Sequence, residues 1–113
     1  MKLLALLGLA KEWIVSRVRG DVRVITLQGD TLPKKLPQGK LVRMVDHGED
    51  WSAGFRCPCG CNEVIELLLL PDVEPNWSLS VDPLGRATLQ PSVWKRSGCK
   101  SHFFLVHGRV KWV

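Results

Sequence analysis

Two short clusters, Cys57-Pro58-Cys59-Gly60-Cys61 and Cys99-Lys100-Ser101-His102, hold all four cysteines of the chain and one of its three histidines. Thiolate and imidazole are the donors that Zn²⁺ prefers, and a tetrahedral site is commonly closed by two knuckles brought together from distant parts of a chain. A C-x-C segment answered by C-x2-H fits that plan. Packing explains the pattern poorly, because buried structural cysteines behave as small hydrophobes among apolar runs, whereas these alternate with Pro and Gly or end in Lys-Ser-His. A disulfide or redox pair between the clusters is the competing chemistry. Cysteines two residues apart are badly placed to bridge each other.

Cys57, Cys59, Cys61, Cys99 and His102 make five candidate donors for about four positions. In an extended segment residues 57, 59 and 61 project to one side, so any two of them can reach the metal. Gly60 favours Cys59, because a residue without Cβ can turn there and aim N–H groups at sulfur. The leftover thiol supports the ligands from outside the coordination sphere or is itself a reactive nucleophile.

Other chemistry is sparse. No nucleophile elbow, phosphate loop or spaced carboxylate pair stands out. His47 and His107 each precede a glycine and are expected in surface turns. Glu63 and Glu66 lie near the first knuckle, as a general base beside an open zinc site would have to, but strand positions facing solvent account for them.

The elements that must position the clusters follow from periodicity. Leu3, Leu6, Leu7, Ala10, Ile14 and Val18 recur at three- and four-residue steps, predicting an amphipathic helix over residues 2–18 rather than a signal peptide. Its apolar run is too short for a membrane span, which needs about 20 residues. From Val22 the period becomes two. Strands are expected at 22–27, 41–45, 51–56, 63–70, 76–81, 86–90, 101–106 and 109–113, with Pro33 and Pro37 punctuating a loop between the first two. Asp82-Pro83-Leu84-Gly85 and His107-Gly108 are the hairpin turns. The expected class is a β-rich α+β fold: a small antiparallel sheet with zinc-ribbon-like or Rieske-like knuckles, preceded by the helix. All 113 residues form a single domain in this reading, with the metal-binding β module over about 38–113.

With 45% apolar and 24% charged residues the chain is ordinary for a globular protein. Its formal net charge of +5 suggests nucleic acid as one class of partner. The charge is segregated, however. Residues 57–85 hold five acids and no base, and residues 86–113 six bases and no acid. Were these blocks neighbours in space, they would largely neutralise each other.

Phe55-Arg56-Cys57-Pro58-Cys59-Gly60-Cys61-Asn62, Trp77-Ser78-Leu79, Leu89-Gln90-Pro91-Ser92-Val93-Trp94, Gly98-Cys99-Lys100-Ser101-His102-Phe103-Phe104-Leu105 and Gly108-Arg109-Val110-Lys111-Trp112 resemble, in order and spacing, a family of small bacterial and phage proteins known as a domain of unknown function. The match covers about residues 38–112. Its members are often encoded beside ubiquitin-like proteins, E1- and E2-like enzymes and JAB-type peptidases, which implies an accessory role in protein conjugation. A weaker likeness is to Rieske and three-Cys-one-His iron–sulfur proteins, which makes [2Fe–2S] the alternative to Zn²⁺. The expected function is a cytoplasmic zinc-binding structural and protein-interaction module without catalysis of its own, with a ubiquitin-like or E2-like partner and no membrane. An iron–sulfur redox protein and a nucleic-acid-binding zinc ribbon are the competing classes.

Overall fold

The computed structural model describes residues 21–113, which form eight strands: β1 (Arg23–Gln28), β2 (Lys40–Asp46), β3 (Glu49–Arg56), β4 (Val64–Leu68), β5 (Ser78–Val81), β6 (Ala87–Trp94), β7 (His102–Val106) and β8 (Arg109–Trp112). The expected α+β class is corrected to all-β, since no helix occurs among the described residues. From residue 22 onward the apolar period is two, and the connections are short turns or proline-containing loops. The helix expected over 2–18 lies outside the described residues. No helix of the described residues is long and apolar enough to cross a membrane.

One small antiparallel sheet is corrected to two four-stranded sheets, ordered β1-β2-β3-β4 and β5-β6-β7-β8. β1 runs parallel to β2, pairing Val24 with Leu41, and every other pair is antiparallel. Period-two alternation puts Ile65 and Leu67 of β4, and Phe103 and Leu105 of β7, on inner faces, where they join Leu41, Phe55, Leu89 and Val93 in one buried cluster between the sheets. Phe103 is fully buried and meets Phe55 and Trp112 edge-on, with ring centroids 6.3 and 5.5 Å away.

The proline-punctuated loop after β1 is a loop as expected, and it also covers the other face of the first sheet. Leu36 is buried with Val42 and Met44, and Leu32 packs against them. Gly54 permits this, because a Cβ there would run into the Leu32 side chain. Arg56 Nε–H donates to the Leu36 carbonyl at 2.7 Å and fastens the loop.

Backbone bonds at the start of β1 join the sheets. Val22 N–H donates to Gly108 O (2.7 Å), Ala87 N–H to Val22 O (3.0 Å) and Val24 N–H to Gly85 O (2.9 Å). A Cβ at Gly108, whose φ is 77°, would lie 2.9 Å from Val22 O, so the contact requires glycine. The neighbouring turn is built on Asp82. Its carboxylate accepts from Leu84 and Arg86 N–H at 3.0 and 2.8 Å, from Arg86 Nε at 2.7 Å, and pairs with His107 Nδ1 at 3.1 Å. Burial works the other way, but these donors hold the Asp82 carboxyl well below the usual carboxylate range. Asp82–Arg86 and Glu63–Lys95 are ion pairs between the acidic and basic blocks of the sequence.

Candidate functional site

β3 ends at Arg56 and delivers Cys57, which is buried, into a turn that carries Cys59 and Cys61 to the surface. Cys57 N–H donates to Glu63 O at 2.8 Å and Gly60 N–H to Cys57 O at 3.2 Å, so the turn closes on itself. Gly60 takes φ 95°, the left-handed backbone expected of it. Cys99 comes from the loop between β6 and β7. Glu63 ties that loop to the first turn by accepting from Lys95 Nζ at 2.7 Å, and Lys95 N–H in turn donates to Ser101 O at 2.8 Å.

The result is one thiol cluster. Cys57 Sγ lies 3.5 Å from Cys59 Sγ and 3.6 Å from Cys99 Sγ, and all four sulfurs, Cys61 included, are within 4.8 Å of one another. Four thiolates on a single ion with bonds of about 2.3 Å would be about 3.8 Å apart, so the donor set fits one tetrahedral metal. Charge is divided unevenly within it. The Ser101 hydroxyl, 3.1 Å from Cys99 Sγ, and the Ser101 backbone bring the Cys99 thiol down to about 6. Ser101 also lowers Cys59. Burial pushes Cys57 up. At Cys61 the backbone hydrogen bond from Glu63 lowers the thiol, but desolvation and the neighbouring sulfurs outweigh it and carry the group to about 12. A divalent cation is what would allow all four to be thiolates at once.

His102 is not part of the cluster. Ser101 is buried with its hydroxyl toward the sulfurs, and on a strand the next side chain points to the opposite face. There His102 Nε2 is 3.0 Å from Ser92 Oγ, and its ring stacks on Trp94, with centroids 4.9 Å apart and planes 12° from parallel. β6 and β7 set up this pairing. Trp94 stands opposite His102 in the register, and the ladder shifts between Leu89 and Val93, where Pro91 has no N–H to give. Trp77 Nε1–H donates to the Ser92 carbonyl at 3.2 Å and holds the irregular stretch. Ser92 and His102 are half-buried on the outer face of the second sheet, flanked by the exposed rings of Trp94 and Phe104.

A serine hydroxyl hydrogen-bonded to an imidazole is the minimal arrangement for nucleophilic acyl transfer. Sequence periodicity does not connect these two residues, although both stand in the motifs quoted above. The signal available is a serine and a histidine on strands flanking a short loop, whose register depends on continuing β6 past Pro91. His47 and His107 sit in turns as expected, at φ 52° and 47°. His107 in addition pairs with Asp82.

No curated protein and no solved structure matches the chain. Residues 28–113 match a family model, and the chain belongs to that family, whose description is bacterial ubiquitination-like system serine protease (BubE).

Proposed function

We propose that this chain is a Ser–His hydrolase acting on conjugates of a ubiquitin-like modifier, its catalytic hairpin clamped by a Zn²⁺ on Cys57, Cys59, Cys61 and Cys99. The single observation that carries the reading is the 3.0 Å contact between Ser92 Oγ and His102 Nε2, and the family description supplies the reaction class. It departs from the expectation of a module without catalysis.

In this mechanism Ser92 Oγ attacks the acyl carbon of the bond joining modifier and target while its proton passes to His102 Nε2. The tetrahedral adduct collapses as the carbon–nitrogen or carbon–oxygen bond breaks, and the imidazolium returns the proton to the departing amine or alcohol. Water, deprotonated by His102, then hydrolyses the acyl-serine, giving a free carboxylate and the resting pair. The cysteines take no part in these steps. A metal held by them would fix the loop 95–101, which joins the strands bearing Ser92 and His102.

Zinc is favoured over [2Fe–2S] by spacing. Cysteines on two different irons must be separated by the inorganic core, and four sulfurs within 4.8 Å leave no room for it. A reducing cytoplasm suits free, clustered thiols. The partner is a protein of the ubiquitin-like or E2-like kind, and the exposed Phe104 and Trp112 are its contact candidates. Purified protein, incubated with a conjugate of a ubiquitin-like modifier from the same genome, should release free modifier, and Ser92→Ala and His102→Asn should each lose at least about 100-fold of the rate. Full activity in Ser92→Ala would refute the hydrolase reading.

A further inference from the structure

Among the described residues no carboxylate meets the His102 ring. The imidazoles that do meet one are His47, with Asp46, and His107, with Asp82. In a catalytic triad the acid fixes the ring's orientation and tautomer. Without one, a histidine is free to tilt about its Cβ–Cγ bond and swing Nε2 out of line with the serine. Something else must hold the ring.

Resting on the hydrolase reading, we propose that Trp94 is the positioning residue of the site, its indole fixing by stacking the plane of the imidazole that a carboxylate would otherwise hold by hydrogen bonding. The indole and the imidazole lie nearly parallel, 12° apart, with centroids at 4.9 Å. Partial rotation about the histidine χ2 would break that overlap, so the stack holds the ring in one plane, and within that plane the 3.0 Å contact with Ser92 Oγ selects the half-turn that brings Nε2 to the serine. Trp94 is itself held. It stands directly opposite His102 in the β6–β7 register, and Arg96 places its guanidinium carbon 4.2 Å from the indole centroid. The cost of this arrangement is visible, because Trp94 keeps 52% of its surface exposed and lies outside the buried core. A tryptophan required only for packing would be expected further inside.

The test uses the zinc-loaded protein and a fluorophosphonate, which phosphonylates an activated serine with loss of fluoride and of the hydroxyl proton. The maximal inactivation rate and the half-saturating concentration are measured for wild type, Ser92→Ala, Trp94→Leu and Trp94→Phe. Ring-nitrogen NMR of His102 is recorded in parallel. Trp94→Leu should lower the maximal rate about 10- to 100-fold with half-saturation unchanged, a loss in the range of removed acid–base assistance. Trp94→Phe, which can still stack, should recover most of it. In wild type the ring should be the tautomer protonated on Nδ1, accepting from Ser92, and this signature should weaken in Trp94→Leu while the melting temperature stays close to wild type. Modification of Ser92→Ala at the wild-type rate would overturn the hydrolase reading itself. If Ser92→Ala is inert but Trp94→Leu keeps both the wild-type rate and the wild-type ring signals, the hydrolase reading stands and the positioning role is overturned. A rise in half-saturation alone would also overturn it, because Trp94 would then be a substrate contact.

Discussion

His102 adjoins Ser101, whose hydroxyl lies 3.1 Å from Cys99 Sγ, yet its imidazole is on the other face of β7. A C-x2-H spacing identifies donors but not the face each will take once the stretch is a strand, and that is why the sequence alone places His102 among metal ligands. The four cysteines are legible, since thiols alternating with Pro and Gly suit a coordinating turn and do not suit an apolar core. At this scale the proposed set predicts that Cys57→Ser, Cys59→Ser, Cys61→Ser and Cys99→Ser each lose stoichiometric zinc, whereas His102→Asn retains it. Metal analysis by mass spectrometry checks this. Asp82 gives a second prediction. A carboxyl held below its unfolded value near pH 3.9 stabilises the fold above that pH, and the contribution is lost as pH falls toward the folded pKa. Asp82→Asn should therefore melt below wild type at pH 7, and the gap between the two should narrow steadily as pH falls below about 3.9, as melting curves recorded across pH will show.

The hairpin of β6 and β7 is the element that would carry the proposed chemistry, and its connecting loop holds Cys99. The sequence locates β1, β2, β7 and β8 to within a residue or two, because turn residues at Gly29, His47-Gly48 and His107-Gly108 mark their ends. It ends β6 at Gln90, whereas the strand continues to Trp94. Pro91 is the reason: a proline argues against a strand interior, and here it sits at a register shift instead. Losing the last four residues of β6 removes Ser92 and Trp94 from any face, and with them the contact to His102. The loop's thiol anchor leads to the prediction that Cys99→Ser or chelation lowers the melting temperature by about 10 °C or more. Structural zinc contributes many kcal/mol, and each lost kcal/mol is worth about 4–8 °C in a domain near this size. Calorimetry with and without chelator measures it.

Across the whole molecule, two sheets share one core and the basic and acidic halves of the sequence meet. Asp82–Arg86 and Glu63–Lys95 engage part of the positive charge that composition alone would assign to nucleic acid. Two sheets are not visible in the sequence, since strand pairing is a long-range property and alternation says only that one face is buried. Phe103, wholly buried between Phe55 and Trp112, tests the shared core. Phe103→Ala should cost about 3–5 kcal/mol in denaturant unfolding. One measurement bears most directly on the central claim: peptide mapping by mass spectrometry after treating the zinc-loaded protein with a fluorophosphonate. A single stoichiometric adduct on Ser92, absent from His102→Asn, is the expected result. An unmodified Ser92, or equal modification with and without His102, would contradict it.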